Sequence, residues 1–295
     1  MEPISLPSPA KVNLYLKILG KRPDGFHELE TVMAALTLAD EMRYESRVSR
    51  ITLECNAPGV PTDDTNLVIR AAKLLQAKTG TQHGAHIVLQ KRTPVGGGMG
   101  GGSSNGATTL AALNKLWTLN LSLAELRSLA AQLGSDVPFF LQPSVAICRG
   151  RGEIIEPLPT GQFAALKGLA VVLLNPGFGV PTPWAYQAYA ARGGAEAEPK
   201  QSVQPLLHSL SKGNASQVAA QLYNSLEAPV FNKYPILEIF KRSLVEAGAV
   251  GAMMSGSGAT VFGLCESEET ANAVSGKVAA KLGASLWTHV ARFAV

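Results

Sequence analysis

Cysteine is scarce in this sequence. Its three cysteines, Cys55, Cys148 and Cys265, lie far apart and form no Cys-x-x-Cys pair. A disulfide framework or a structural zinc site needs paired or closely spaced cysteines, so neither is indicated and we expect a reducing compartment. His83 and His86 have no third ligand nearby, and we expect them in a solvent-facing loop. The sequence therefore assigns no residue to a metal.

Long hydrophobic runs and blocks of like charge are also missing. The longest apolar run, Leu169 to Leu174, is too short to cross a bilayer, and the first residues lack the basic and apolar regions of a signal peptide. The 26 basic and 22 acidic residues leave a formal charge of +4. That balance does not require nucleic acid and suits a site for small anionic molecules. We expect a cytoplasmic protein without membrane or nucleic-acid partners, in an oligomeric state that the sequence leaves open.

Glycine, in contrast, is concentrated in one stretch. Seven of the thirteen residues from Pro94 to Gly106 are glycine, and helix-forming sequence follows directly. Glycine lets a ligand approach the main chain, and the N-terminus of a helix carries partial positive charge, so the stretch suits a polyphosphate. Ser103 or Ser104 is expected to cap the helix that follows.

Other interpretations of this loop are weaker. A flexible linker mixes glycine with polar residues over a longer run, whereas this loop lies between a predicted strand, Ile87 to Leu89, and a helix. Gly96, Gly98 and Gly101 match Gly-x-Gly-x-x-Gly, but a dinucleotide-binding fold would place that motif after its first strand. The Walker A ending and the His-Arg-Asp and Asp-Phe-Gly motifs of protein kinases do not occur.

Polar residues of functional interest precede the loop. The stretch from Lys11 to Ile18 alternates as a strand does and puts its apolar residues on the buried face and Lys11 and Asn13 together on the other. Lys21 to His27 predicts a turn that presents Phe26 and His27 at its end. A helix is expected to begin at Asp64 to Asn66 and to run to about Lys78, with a plain N-terminal cap as the competing role for that cluster.

An aspartate follows the second predicted helix after the loop. Ser122 and Glu125 form a capping-box pattern at the start of this helix, and Gly134 is expected to end it. Pro138 then biases the residue before it to an extended conformation, which puts Asp136 on a rigid corner. On spacing alone, an aspartate in that position is more often a turn former than a catalytic group.

The glycine loop resembles the phosphate-binding motif of the GHMP kinase superfamily. Ser8 to Leu14, Gly134 to Phe140 and Ala249 to Phe262 resemble three further motifs, so the resemblance covers essentially the whole chain. It implies an α+β fold of two lobes with the active site in the cleft between them. We place the boundary between residues 155 and 156, with an N-terminal ATP-binding domain (1–155) and a C-terminal domain (156–295).

The resemblance also implies roles for individual residues. Lys11 and Asp136 are expected to be catalytic, with Asp136 as the base and Lys11 beside the reacting hydroxyl. ATP is expected to contact Pro94, Val95, Gly96, Gly97, Gly98, Met99, Gly100, Gly101, Gly102, Ser103, Ser104, Asn66 and Lys91. The alcohol substrate is expected to contact Asn13, Phe26, His27, Thr182 and Tyr186. Mg²⁺ is expected with ATP, with Ser103 or Ser104 as possible ligands, and the motif near residues 249–262 is expected to brace the loop and close over the phosphates.

The predicted reaction is ATP-dependent phosphorylation of an alcohol. Ser-Ser-Asn after the glycines, and the aromatic and histidine at 26 and 27, resemble the superfamily members whose substrate is a cytidine diphosphate derivative of a branched polyol. Position 26 is usually tyrosine there, so Phe26 keeps a stacking face and loses a hydroxyl. Two alternatives stay open: a homoserine- or mevalonate-type kinase, which would not need Phe26, His27 or Tyr186, and a non-catalytic ATP-binding module.

Overall fold

The computed structural model describes residues 2–142, 144–197 and 201–295. The sequence predicts a polar surface excursion over residues 193–202, and residues 198–200 of that segment lie outside the described residues. None of the helices in the described part of the chain is long and apolar enough to cross a membrane.

Helices and strands are mixed along the chain. The strands are β1 (Ile4–Lys21), β2 (His27–Arg47), β3 (Ile51–Cys55), β4 (Gly84–Gln90), β5 (Val145–Arg149), β6 (Ile154–Pro157), β7 (Ala170–Asn175), β8 (Tyr223–Asn224), β9 (Gly251–Met254), β10 (Val261–Cys265) and β11 (Trp287–Arg292). The α-helices are α1 (Leu67–Thr79), α2 (Gly101–Leu116), α3 (Leu123–Leu133), α4 (Thr182–Ala190), α5 (Gln204–Lys212), α6 (Ala215–Ala219), α7 (Glu227–Lys233), α8 (Pro235–Ala247) and α9 (Glu268–Leu282). Short 3₁₀ helices lie at Val137–Leu141, Thr160–Leu166 and Gly194–Ala197.

The chain forms two compact units, each built from separate segments. The first unit contains Met1–Ala10, Leu38–Val95 and Gly100–Pro143, and the second contains Lys11–Thr37, Gly96–Met99 and Ser144–Val295. The long strands β1 and β2 each contribute residues to both units. The boundary predicted between residues 155 and 156 divides the chain into two family domains. The two compact units are defined differently and do not test that boundary, so it stays a prediction.

The first unit packs helices around a short sheet. Strand β4 pairs in parallel with β3 and antiparallel with the second part of β2, from Glu41 opposite Gln90 to Arg47 opposite Gly84. Helix α1 packs against α2, and α3 packs against both. A Cβ at Gly106 of α2 would lie 3.4 Å from Leu67 Cβ of α1, so the two helices approach closely at that glycine.

The second unit contains a four-stranded antiparallel sheet in the order β11-β7-β10-β9. Helices α8 and α9 pack on this sheet and bury an apolar core that includes Val172, Leu174, Leu244, Val261 and Val274. The first part of β2 also pairs antiparallel with β5, and β1 pairs in parallel with the short strand β8, with Tyr15 opposite Tyr223.

Helix ends agree with several sequence expectations. Asn66 is the N-cap of α1, and its side chain accepts a hydrogen bond from Val68 N, which confirms the capping role. Ser122 and Glu125 form the predicted capping box of α3. Gly134 ends α3 as predicted, but its φ of 170° is extended backbone that any residue adopts, so the helix does not end in a left-handed glycine cap.

Two local expectations are corrected, and burial adds a third point. His86 lies on strand β4 and not in a loop. Ser103 and Ser104 do not cap α2, because the helix already begins at Gly101 with Gly100 as its N-cap. The polar face of β1 is also covered by the protein, since Lys11 is 2% exposed and Asn13 is 1% exposed. Alternation separated the two faces of this strand correctly but did not reveal that both are covered.

The capping box gives a direct test of the first unit's stability. Replacing Ser122 with alanine removes the acceptor for Glu125 N, so the free energy of unfolding is expected to fall by about 0.5 to 2 kcal/mol. Ser128→Ala is the matched control, because Ser128 is an exposed residue inside the same helix. Denaturant melts of both variants test this, and equal stabilities would contradict the capping role.

Candidate functional site

The glycine loop has a conformation that requires glycine. Gly96, Gly98 and Gly100 have φ values of 68°, 76° and 68°, in the left-handed region that side chains disfavour. A Cβ at Gly98 would lie 2.2 Å from Ser255 O, which leaves no room for any side chain. Helix α2 then begins at Gly101 with no side-chain cap, so its first N–H groups are available to an anion.

The segment Gly96–Met99 is held by its neighbours within the second unit. Lys11 Nζ and Ser255 Oγ both donate to Gly98 O at 3.0 Å. Thr260 N donates to Gly97 O at 3.1 Å, and Lys11 N donates to Met99 O at 3.0 Å. Met99 is buried in the core, at 1% exposure. These contacts confirm that the motif near residues 249–262 braces the loop, whereas its closure over phosphates stays a prediction.

Lys11 lies in a buried polar group at the start of the second unit. Its ammonium donates to Asn13 Oδ1 at 2.6 Å, and Asn13 Nδ2 donates to Thr31 Oγ1 at 2.8 Å. Thr31 Oγ1 in turn donates to Tyr15 O at 2.5 Å. This chain of hydrogen bonds orients Asn13 and fixes the Lys11 ammonium beside the main chain of the glycine loop. The contact between Lys11 and Asn13 confirms that they are neighbours on one face of β1, as predicted.

Lys91, in the first unit, donates hydrogen bonds to buried side chains of the same unit. Its ammonium lies 2.5 Å from Asp40 Oδ2, 2.8 Å from Thr93 Oγ1 and 3.3 Å from Asn105 Oδ1, and its side chain is 6% exposed. Asn66 likewise uses its side chain to cap α1 and to donate to Pro61 O. Nucleotide contacts by Lys91 and Asn66 stay predictions.

Ser103 and Ser104 differ in their surroundings. Ser104 is fully buried, and its hydroxyl accepts a hydrogen bond from Ser8 Oγ at 2.8 Å. Ser103 is half-buried in the first turn of α2. Of the two serines, Ser103 is therefore the one open to a ligand at the helix N-terminus.

Asp136 lies at a corner, as predicted, but Val137 belongs to a 3₁₀ helix and is not in the extended conformation expected before Pro138. Asp136 is half-buried and directly precedes the 3₁₀ helix Val137–Leu141, which carries Pro138 in its first turn. Val137, Pro138, Phe139 and Phe140 are buried and anchor that corner in the first unit. Lys11 belongs to the second unit, and the pairing of Lys11 with Asp136 stays a prediction.

Three of the predicted substrate contacts, Phe26, His27 and Tyr186, lie in the second unit. The rings of His27 and Tyr186 stack with centroids 5.1 Å apart and an interplanar angle of 29°. Phe26 is 51% exposed, and the guanidinium of Arg151 lies 4.6 Å from the centre of its ring. Burial and the nearby charge of Lys21 lower the pKa of His27, so its imidazole is neutral at neutral pH.

Thr182 begins helix α4, the helix that also carries Tyr186. Its Oγ1 lies 2.9 Å from Ser257 Oγ, which links α4 to the motif that braces the glycine loop. The predicted substrate residue Thr182 therefore contacts the loop's support.

Metal-binding residues are sparse in the described parts of the chain. No group of three or more His, Cys, Asp or Glu side chains there is placed to hold a metal ion. Mg²⁺ accepts oxygen ligands and keeps several waters, so a magnesium ion held by ATP phosphates, water and the Ser103 hydroxyl is compatible with this donor set. Among the described residues there is thus no carboxylate cage for the ion.

Two family models match the chain, GHMP kinases N terminal domain over residues 66–143 and GHMP kinases C terminal over residues 206–284. The chain is also 42% identical over 289 residues to the 4-diphosphocytidyl-2-C-methyl-D-erythritol kinase of Gloeobacter violaceus, covering 97% of this chain and 94% of that protein. The chain belongs to the GHMP kinases. This confirms the family and the α+β fold class predicted from the sequence.

Further proteins resemble the chain over most of its length. The enzyme of the same name from Pelotomaculum thermopropionicum is 43% identical over 269 residues, covering 91% of each chain. A crystal structure of 4-(cytidine 5'-diphospho)-2C-methyl-D-erythritol kinase matches with a TM-score of 0.77 and 35% identity, over 98% of this chain and 99% of that one. Homoserine kinase from Cytophaga hutchinsonii, at 21% identity and a TM-score of 0.75 over 99% of this chain and 95% of that one, shares the fold.

Two residues beside the GHMP kinase motifs were not predicted from the sequence. Asp40 is a fully buried acid that contacts Lys91. Its burial could have been inferred from the sequence, because Asp40 lies between the apolar Leu38 and Met42 on the inward face of β2. Arg151 follows β5, and nothing in the sequence indicates that its guanidinium lies over Phe26.

The loop conformation can be tested at Gly98. Gly98→Ala would place a methyl group against Ser255 O at a left-handed φ, so the free energy of unfolding is expected to fall by about 1 to 3 kcal/mol or more. Gly102→Ala is the matched control, because the nearest atom to its Cβ, Leu67 Cδ1, is 4.0 Å away. Thermal melts without nucleotide compare the two, and equal melting temperatures would contradict the close approach at Gly98.

Proposed function

We propose that this GHMP kinase transfers the γ-phosphoryl group of ATP to the C2 hydroxyl of 4-diphosphocytidyl-2-C-methyl-D-erythritol, a step of non-mevalonate isoprenoid biosynthesis. The observation that carries the proposal is the His27–Tyr186 stack beside the exposed Phe26. Homoserine and mevalonate contain no nucleobase, whereas a cytidine diphosphate group offers a flat, neutral cytosine on which aromatic rings can stack. The named relatives at 42% and 43% identity support the same substrate.

The loop and the start of α2 are proposed to bind the phosphates of ATP. Loop N–H groups and the uncapped first turn of α2 donate to phosphate oxygens, and Lys11, held at Gly98 O, adds a positive charge at the loop. When bound with ATP, Mg²⁺ would neutralise phosphate charge, and Ser103 is the protein group we assign to it.

The transfer step is a displacement at phosphorus. The C2 oxygen forms a bond to the γ-phosphorus, the bond from that phosphorus to the bridging oxygen of ADP breaks, and the hydroxyl proton passes to Asp136. In phosphoryl transfer a protein mainly positions the reactants and stabilises charge, so a carboxylate suffices as the acceptor of a late-leaving proton. Lys11 and Asn13 are proposed to orient the hydroxyl, and Thr182 to contact the substrate near α4.

Partners and compartment follow from the same proposal. The ligands are ATP and a cytidine diphosphate derivative of a branched polyol, with no nucleic-acid or membrane partner. We place the reaction in the cytoplasm, as the scarcity of cysteine pairs suggests, and keep the family domains as residues 1–155 and 156–295.

The base role of Asp136 predicts a loss of turnover without a loss of binding. Asp136→Asn removes the proton acceptor while keeping the shape of the side chain, so kcat is expected to fall by roughly 10² to 10⁴. ATP affinity is expected to stay close to that of the wild type. Asp64→Asn is the control, because Asp64 is an exposed partner of Lys73 in the same unit. Steady-state ADP release measures both variants, and retained turnover in Asp136→Asn would remove it from the base role.

The nucleobase site predicts a specific loss at Tyr186. Tyr186→Ala removes one stacking face and the ring that supports His27, and kcat/KM for the cytidyl substrate is expected to fall by about 5-fold to 150-fold, since stacking contributes about 1 to 3 kcal/mol per base. Tyr186→Phe keeps the ring and should retain most activity. ATP affinity, measured in parallel, should change in neither variant. Indifference of Tyr186→Ala toward the cytidyl substrate would refute this pocket.

A further inference from the structure

A single buried carboxylate binds both ends of the glycine loop within the first unit. Asp40 on β2 is fully buried and accepts five hydrogen bonds. Its Oδ1 accepts from Arg92 N at 2.8 Å, Thr93 N at 2.9 Å and Thr93 Oγ1 at 2.7 Å. Its Oδ2 accepts from Lys91 Nζ at 2.5 Å and Asn105 Nδ2 at 2.9 Å.

These donors lie on the two sides of the loop. Arg92 and Thr93 directly precede Pro94, where the loop begins, and Asn105 lies in the second turn of α2, after the loop has ended. The two oxygens of one carboxylate are held at a fixed separation by the covalent geometry of the group. Asp40 therefore sets how far the chain before the loop lies from the helix after it.

The ionised state of Asp40 is favoured by these contacts. Burial opposes the charge, but the positive charge of Lys91 and the hydrogen bonds from Lys91, Thr93 and Arg92 outweigh it and hold the pKa of the Asp40 carboxyl below its usual value. Asn105 Nδ2 also donates to Ser8 Oγ, and Ser8 Oγ donates to Ser104 Oγ, which extends the network into the first turn of α2.

The network also touches the main chain at the start of α2. A Cβ at Gly101 would lie 2.7 Å from Thr93 Oγ1 and 3.0 Å from Lys91 Nζ. The side chains around Asp40 thus lie against Gly101, the first residue of the helix that we propose to bind phosphates. A small displacement of Thr93 or Lys91 would move that helix start.

We propose that Asp40 is a positioning residue for ATP, which orients the glycine loop and the first turn of α2 through Lys91, Thr93 and Asn105. Asp40 acts through these groups and does not itself contact the nucleotide. A buried ion pair is weak evidence for stability, because the cost of desolvation offsets most of the attraction between the charges. A role in fixing one geometry of the loop explains why five donors converge on Asp40. The inference rests on the proposed function only in taking ATP as the ligand.

The test is the isosteric variant Asp40→Asn, which keeps the shape of the side chain and loses its charge. Direct titration of ATP by calorimetry, without any alcohol, is expected to show a dissociation constant raised by about 10-fold or more, equivalent to about 1.4 kcal/mol. In assays with the cytidyl alcohol, KM for ATP should rise while KM for the alcohol stays within about 2-fold, a ratio that corresponds to about 0.4 kcal/mol.

Tyr44→Phe is the matched control for a purely structural effect. Tyr44 lies on the same face of β2, is fully buried, and hydrogen-bonds through its hydroxyl to Thr109 Oγ1 on α2 at 3.1 Å. The substitution removes a buried hydrogen bond between the same strand and the same helix but leaves the ends of the loop alone. It is expected to lower the melting temperature and to leave the dissociation constant of ATP unchanged.

The outcomes distinguish the positioning role of Asp40 from the proposed kinase function. Equal weakening of ATP by both variants, or ATP binding by folded Asp40→Asn within about 2-fold of the wild type, would overturn the positioning role. If Asp40→Asn does not fold, Thr93→Val is tested instead, because it removes the hydroxyl donor to Asp40 and keeps the Lys91–Asp40 ion pair. Thr93→Val is expected to raise the dissociation constant of ATP about 3-fold to 10-fold, equivalent to about 0.6 to 1.4 kcal/mol. An unchanged dissociation constant would overturn the proposal. A wild type that binds ATP without phosphorylating the cytidyl alcohol would refute the proposed function and leave this titration valid.

Discussion

The glycine loop imposes one constraint on the rest of this protein: a main chain that we propose to face phosphates has few side chains of its own to fix its conformation. Glycine makes the close approach possible and also adds conformational freedom that must be removed. The protein removes it with polar groups from elsewhere. In the second unit, Gly98 O accepts from both Lys11 and Ser255, and in the first unit the chain around the loop converges on Asp40.

Burial of charge follows from this arrangement. Lys11 is 2% exposed and the Lys91 side chain is 6% exposed, although lysine is rarely buried without a partner. Each ammonium has hydrogen-bond acceptors from the protein, Asn13 and Gly98 for Lys11, and Asp40, Thr93 and Asn105 for Lys91. Away from water these charges act more strongly on neighbouring groups than they would at the surface. The same contacts that hold the loop therefore place positive charge beside it.

Much of this fold could be predicted from local sequence. The sequence predicts that helix α1 opens at Asp64 to Asn66 and runs to about Lys78. The helix spans Leu67–Thr79, with Asn66 as its N-cap and Gly80 as its C-cap. The sequence predicts a turn over Lys21 to His27, and Gly25 within it has a φ of 84°. Such features depend on a few neighbouring residues, and the chemistry of those residues determines them.

Contacts between distant residues could not be predicted in this way. The alternation in β1 distinguishes two faces, but only the packed chain shows that Lys11 and Asn13 are covered. Asp40 shares the inward face of β2 with buried residues, but its five hydrogen-bond donors come from residues more than fifty positions away in the sequence. The stack of His27 on Tyr186 likewise joins residues far apart in sequence, so the family resemblance, and not periodicity, suggested that both serve one ligand.

The most direct test of this account is one comparison of substrates. ADP formation by the wild-type protein would be measured with ATP, Mg²⁺ and each of four alcohols: 4-diphosphocytidyl-2-C-methyl-D-erythritol, 2-C-methyl-D-erythritol 4-phosphate, homoserine and mevalonate. We predict efficient turnover with the cytidyl compound alone, because only that compound offers a base to Phe26, His27 and Tyr186. Equally efficient turnover of the phosphate fragment, homoserine or mevalonate would contradict the account.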